Sequence, residues 1–253
     1  MPKIALSAAV LLLLAGCQIT LGDWNDECTH TAERSARLDA AGASRVEIDT
    51  GAGGLVVRGV DGAAELSVEG TACAYSESVL EDVRLTAVRR GDVLRVATEF
   101  PDRLRGPARL DLEIELPATL PVYVDDGSGP VEISGVAELE IEDGSGPLVV
   151  SDVAGRVRID DGSGEVEVSR VGGEVRIEDG SGPIRVLGVG GDVVIEDDGS
   201  GEIEIRGVDG NVIVEEDGSG SISVRDVRGD FELLRDGSGS VDVDVDGDVR
   251  LPR

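Results

Sequence analysis

The chain has 253 residues, enough for one large domain or two small ones, and sets 52 acidic side chains against 23 basic ones for a formal charge of −29. That charge excludes direct nucleic-acid binding, because phosphates would be repelled, and argues against lying on anionic lipid without bridging divalent cations. Aromatic residues make up only 2% and glycines number 36, which leans towards disorder, yet Val and Ile recur at every second position over long stretches, as disordered acidic segments do not.

Lys3 and the apolar run Ile4–Leu14 read as a secretory signal, too short to span a bilayer comfortably. The run ends in Leu14-Ala15-Gly16-Cys17, which resembles the lipobox of bacterial lipoproteins. The resemblance implies removal of 1–16 as a signal peptide and acylation of Cys17 by diacylglycerol and a palmitate-like N-acyl chain. Two or more chains suffice for stable anchoring at about 0.8 kcal/mol per buried CH₂. An ordinary secretory signal with an incidental cysteine is the alternative. Gln18 after the cysteine implies, by the sorting rule of that family, the outer membrane, so the expected location is the bacterial cell envelope, lipid-anchored. Residues 17–30 then form the lipidated cysteine and a tether. Cys28 and Cys73 remain as an even pair in an oxidising compartment, expected as a disulfide, with two free buried thiols as the alternative.

Residues 31–120 form an irregular β region that caps the array after it. "SRVEIDTGAGGLVVRGVDG" (44–62) aligns without gaps to "GEVRIEDGSGPIRVLGVGG" (173–191), so one degenerate rung lies there. "DVRLTAVRRGDVLRVATEF" (82–100) reads as a hairpin turning at Arg90-Gly91-Asp92. "ARLDLEIELPATLPVYVDD" (108–126) alternates as a strand, breaks at Pro117 and feeds the array.

From 121 to 253 the tetrapeptide Asp-Gly-Ser-Gly sets the pace, with its Asp at Asp126, Asp143, Asp161, Asp179, Asp198, Asp217 and Asp236. Near-constant spacing of 17–19 residues identifies a repeat array, not a single active site. In 157–175 Val157 and Ile159 alternate with Arg158 and Asp160, and Val166 and Val168 with Glu165 and Glu167, giving two strands around a corner; Val171 precedes a Gly172-Gly173 turn. Inward positions recur in register: Val131, Leu148, Val166, Ile184, Ile203, Ile222 and Val241 form one column, and Val136, Val153, Val171, Val189, Val208 and Val227 another. A lone rung buries too little to offset its chain entropy, so stacking is obligatory. The expected fold is all-β, a β-solenoid of 17–19-residue rungs with two or three short strands per coil and an irregular N-terminal cap. In this reading Gly127 and Gly129 and their equivalents take positive φ at structural corners, where each Asp accepts the backbone N–H two residues on.

The opening rung "VEIDTGAGGLVVRGV", then "LDLEIELPATLPVYVDDGSGPVEISGV", then serial V-x-I-x-D-G-S-G-x-V-x-V together resemble the β-strand-repeat domain family of bacterial envelope proteins named "putative adhesin". The resemblance covers roughly 40–250. It implies the solenoid fold and an adhesive surface role, and it carries no catalytic motif.

Candidate chemistry is thin. Asp49-Thr50-Gly51-Ala52 matches the aspartic-protease signature, which needs two carboxylates sharing a proton, but it aligns to a repeat corner with Thr50 at the Asp position. A serine triad lacks a base, His30 in the tether being the only histidine. Asp242, Asp244 and Asp246 reproduce the start of a calcium loop, but its twelfth position is Arg253 instead of Glu, and the same residues alternate with Val241, Val243 and Val245 as on a solvated strand. They are weak metal candidates. Asp160, Glu178, Glu196 and Glu215 are expected in one outward column about 4.8 Å apart, where repulsion favours weak Ca²⁺ binding without a dedicated cofactor. A polysaccharide lyase would use Arg185 among the acids of the column Glu132, Val149, Glu167, Arg185, Glu204, Ser223 and Asp242, but that column has no aromatic platform for sugar. The sequence therefore points to an envelope lipoprotein presenting an acidic solenoid as a structural or adhesive surface, without catalysis. Its partners are the membrane, through the anchor, and a protein or polysaccharide ligand. A regulatory binding module and a Ca²⁺-responsive scaffold are the alternatives.

Overall fold

The computed structural model describes residues 28–101 and 106–252. The chain begins with β1 (His30–Asp39), β2 (Arg45–Ala52), β3 (Leu55–Val60) and β4 (Glu65–Ala74), then α1 (Glu77–Asp82), β5 (Arg84–Arg90), β6 (Val93–Glu99) and β7 (Ala108–Pro117). The array follows as β8 (Val122–Ser128), β9 (Val131–Ser134), β10 (Leu139–Asp143), β11 (Leu148–Val153), β12 (Val157–Asp161), β13 (Val166–Val171), β14 (Val175–Asp179) and β15 (Ile184–Val189). It ends with β16 (Val193–Asp198), β17 (Ile203–Val208), β18 (Val212–Asp217), β19 (Gly220–Val227), β20 (Phe231–Asp236), β21 (Gly239–Val245) and β22 (Val249–Arg250).

Each rung is two strands, one in each of two 11-stranded sheets. The sheets run β1-β4-β7-β3-β9-β11-β13-β15-β17-β19-β21 and β22-β20-β18-β16-β14-β12-β10-β8-β2-β6-β5. Within the array the pairings are parallel, in register as in Leu148 opposite Val166 and Val157 opposite Val175, with shifts only in β14–β16 and β19–β21. Antiparallel pairing is confined to the N-terminal end, at β1–β4, β4–β7 and β5–β6. His30 opens β1 opposite Ala74, so it belongs to this end of the sheet and not to a tether. The alternating Val, Ile and Leu residues form one continuous core between the sheets, as period two requires when one face of each strand is buried.

Rung order departs from chain order. β2 lies between β6 and β8, and β3 lies between β7 and β9, so the first rung laid down is enclosed by β6/β7 on one side and β8/β9 on the other. The chain leaves after β3, builds β4 to β7 beneath, and returns through 118–121. There the Ala118 amide donates to the Val60 carbonyl, and the Val46 amide to the Pro121 carbonyl.

Two local devices close each rung. The second glycine of the corner takes positive φ in Gly129, Gly146, Gly164 and Gly182 (133–154°). The first does not. At Gly180 the limit is space, because a Cβ there would run into the Gly162 carbonyl oxygen one rung below. The end of the second strand carries a left-handed residue, Asp152, Arg170 and Asp226 at φ 56–58° and Gly135, Gly188 and Gly207 at 70–72°, which turns the following valine back into the core. The 19-residue spacing also has a local cause. β16 holds one residue more than β14, and the register shifts after Ile177 so that Glu178 lies opposite Asp197. Glu196 is therefore not in the column of Asp160 and Glu178, as equal spacing had predicted; the bulge displaces it.

Candidate functional site

Inward alternation along V-x-I-x-D does not stop at the second apolar residue. In β10, Leu139, Ile141 and Asp143 are buried while Glu140 and Glu142 are exposed, and β12 and β14 bury the same three positions, with Arg158 and Arg176 half-buried between them. The strand runs through the aspartate and turns only at Gly-Ser-Gly, so the Asp side chain points into the solenoid. The expected corner role therefore comes with a burial that the turn reading did not include. Asp126, Asp143, Asp161, Asp179, Asp198 and Asp217 are 0–4% exposed. Asp236, at the outer end, is exposed.

These residues stack directly on one another: Asp126 on Asp143, Asp143 on Asp161, Asp161 on Asp179, Asp179 on Asp198, Asp198 on Asp217 and Asp217 on Asp236. At the inner end Thr50, which takes the Asp position of its rung, lies opposite Asp126 and donates its hydroxyl to Asp126 Oδ1 at 2.5 Å. Asp179 makes the turn bond that the sequence suggested, accepting from the Ser181 amide at 3.0 Å. Both carboxylate oxygens of Asp143, Asp161, Asp198 and Asp217, and one each of Asp126 and Asp179, are buried without a well-aligned donor, although the Ser145, Ser163 and Ser200 amides pull Asp143, Asp161 and Asp198 down in part. Burial is the leading cause that pushes these acids upward, to about 6 for Asp126 and about 7 for Asp143, Asp179 and Asp198. Repulsion from the adjacent rungs adds to it for Asp143, Asp179 and Asp198, while the Thr50 hydroxyl holds Asp126 down. Asp161 and Asp217 are raised for the same first reason.

Outside the core the sheets carry charge ladders. Glu196 receives both guanidinium nitrogens of Arg158 at 3.0 Å and Arg176 at 3.1 Å, which hold its carboxyl below the usual range. Arg185 sits in the predicted column opposite Glu167 and Glu204. It reaches Glu165 at 2.8 Å and Glu204 at 3.4 Å, the geometry of a surface ion pair.

A groove of about 780 Å³ lies where the first corners meet the antiparallel strands. Gly53, Gly129, Gly146, Pro130 and Pro147 line it on one side, and Glu33, Glu69, Thr71, Arg109 and Glu113 on the other. Cys73 lines it as well and is joined to Cys28, with Cα atoms 5.7 Å apart. Sequence reading missed this groove, because it depends on pairing β4 with β7, which no local pattern encodes.

Asp242 and Asp244 lie on the extended strand β21 and Asp246 just beyond it; all three are exposed, and Asp242 pairs with Arg225. Among the described residues no group of three or more His, Cys, Asp or Glu is placed to hold a metal ion, and no helix is long and apolar enough to cross a membrane. Cys17 and the lipobox lie outside the described residues.

No family model and no curated protein matches the sequence. Among solved structures, the chain is similar to a "putative adhesin" from Bacteroides fragilis at 14% identity, covering 89% of this chain and 98% of that one with a TM-score of 0.43. It is also similar to a "putative cell adhesion protein" from Clostridium sporogenes at 11% identity, covering 88% and 100% with a TM-score of 0.35. A "putative adhesin" from Parabacteroides merdae matches at 11% identity, covering 89% and 97% with a TM-score of 0.35. These likenesses assign no role to any residue.

Proposed function

We propose that this chain is a cell-envelope lipoprotein that presents its acidic β-solenoid as a structural or adhesive interaction surface and performs no catalysis. The observation that carries the reading is the outer face of the stack. In-register parallel pairing lines outward positions up in columns, as in Glu132, Val149, Glu167, Arg185, Glu204, Ser223 and Asp242, where charged side chains fill most rungs. Such a face repeats at the strand spacing of about 4.8 Å and suits an extended partner, a protein or polysaccharide, that meets many rungs weakly at once. The hydroxyl of the protease-like Asp49-Thr50-Gly51 segment is engaged with Asp126, which fits a structural role for that motif.

Anchoring rests on Leu14–Cys17. Cys17→Ser is expected to abolish acyl labelling and to release the protein from the membrane fraction or leave it uncleaved; unchanged labelling and fractionation would overturn the anchor. Protease shaving of intact cells tests the surface role. Resistance in intact cells combined with digestion after outer-membrane permeabilisation would place the solenoid in the periplasm and remove adhesion from consideration. The acidic groove favours a second reading, a binding module for a regulatory partner. Glu69→Lys with Glu113→Lys would then abolish capture of that partner while leaving surface adhesion intact.

A further inference from the structure

The interior aspartates require a physical account that a turn-forming role does not give. A turn-forming acid can sit in water, whereas these six are 0–4% exposed and carry ten oxygens without a well-aligned donor. An isolated ionised carboxylate in such a place is unstable, and it is either paired or neutral. Among the described residues no Arg or Lys acts on the column. The groups acting on it are the aspartates themselves, Thr50 at one end and Asp236 at the other, the outward Asp125 and Asp160 on the same strands, and the corner amides of Gly162, Ser145, Ser163, Ser181 and Ser200. The neighbouring inward positions, such as Ile141 and Leu148 or Ile159 and Val166, are apolar and buried.

A donor can come from the column itself. In parallel stacking each carboxyl from Asp143 to Asp217 has a carboxyl directly above and below it, at about the 4.8 Å strand spacing. A proton on one acid supplies an O–H to the oxygen of the next, as in any pair of carboxyls that share one proton. The repeats also keep Asp at this position in all seven copies, although the residue after Gly-Ser-Gly varies among Pro, Glu and Ser. A neutral stack could be built from Asn, whose amide both donates and accepts. The repeats use an ionisable group where a neutral one would serve the geometry.

We propose that the buried aspartate column is a shared-proton ladder, in which neighbouring rungs hold one proton between them, and that it makes the solenoid tighter as the surrounding medium becomes acidic and looser as it becomes alkaline. The pairs that share are Asp126 with Asp143, Asp161 with Asp179, and Asp198 with Asp217; in each, one acid donates and its partner accepts. Asp126 is the accepting member of its pair, because Thr50 already donates to it.

The direction follows from proton linkage. Acids raised in the folded state hold protons that the unfolded chain has lost. Their full stabilisation is present below the unfolded value near 4, and it is lost as pH rises towards about 7, the level given for Asp143, Asp179 and Asp198. Ordinary carboxylates have finished titrating by pH 6, so once the single histidine is removed the column dominates the carboxyl titration between pH 6 and 8.

The test is a series of thermal melts of a His30→Gln background between pH 5 and 9, alongside carboxyl-carbon NMR. The melting temperature should fall between pH 6 and 8, by about 4 °C per pH unit for each extra proton held by the folded state. Three aspartate carboxyl signals should titrate near neutrality. Asp179→Asn should flatten part of that slope and melt higher than its parent at pH 8, whereas the surface control Glu178→Gln should keep the slope. A flat melting temperature across pH 6–8, or aspartate signals that all titrate below pH 5, would overturn the ladder. The NMR arm on the parent decides the matter even if Asp179→Asn fails to fold.

Discussion

Thr50 and Asp126 stand 76 residues apart in the chain, yet the hydroxyl of one donates to the carboxylate of the other at 2.5 Å. This bond closes the inner end of the aspartate column and joins the first rung laid down to the first rung of the regular array. Thr50→Val keeps the shape and removes the donor, leaving a buried oxygen unsatisfied. The expected cost is about 1–3 kcal/mol in denaturant melts. Because the hydroxyl holds Asp126 down, the variant should be most impaired near pH 8 and least near pH 5. An equal cost at both would show that the bond does not bear on the acid.

Two glycines with positive φ should respond very differently to alanine. Gly62 has φ 73° and open space where a Cβ would go, so Gly62→Ala should cost about 1 kcal/mol of left-handed strain. Gly182 has φ 145°, and a Cβ there would collide with the Gly164 carbonyl one rung below. Strain and a backbone clash together place Gly182→Ala at about 4 kcal/mol or more. Urea titration of both variants checks the ranking; similar midpoints would mean that the corners relax easily.

Deleting residues 162–179 removes one rung and rejoins Asp161 to Gly180, which restores Asp-Gly-Ser-Gly. Since each rung meets only its neighbours, the shortened stack should fold cooperatively, with unchanged far-ultraviolet circular dichroism per residue and a smaller urea m-value. Loss of the cooperative transition would count against nearest-neighbour stacking.

The Cys28–Cys73 bridge closes a separation of 45 residues. Replacing both cysteines with serine should lower stability by about 4 kcal/mol as an upper figure from chain entropy. The loss should appear as a lower urea midpoint, and dithiothreitol should shift the parent, but not the variant, by the same amount. A parent indifferent to reductant would mean that the bridge lies in a part that opens before the solenoid does.

Much of this was legible in the residues. Alternation in 157–175 gave the two strands, the inward valine columns and the stacking. The hairpin at Arg90-Gly91-Asp92 and the break at Pro117 were equally local. The aspartate column was also there to be read, since Asp161 stands two residues beyond Ile159 on the same face. A tetrapeptide rich in glycine obscures it, because it suggests a turn that begins at the Asp, whereas the strand runs through Asp161. The 19-residue step likewise announced an extra residue, but only the pairing of Glu178 with Asp197 shows where the bulge falls. Placement of β2/β3 between β6/β7 and β8/β9 had no signal at all, because identical inward patterns can stack in any order.

That placement gives the stack a direction. A rung enclosed by strands made later cannot be peeled until one of its flanking rungs has gone, and the antiparallel strands beyond it are tied by a covalent bridge. Among the described residues the opposite end has no such lock, since β22 holds only two pairs with β20. Under mechanical load the molecule is a zip fastener with a stop at one end. Extension should proceed in even steps of one rung from β22 inwards, and the final segment should yield only at a higher force.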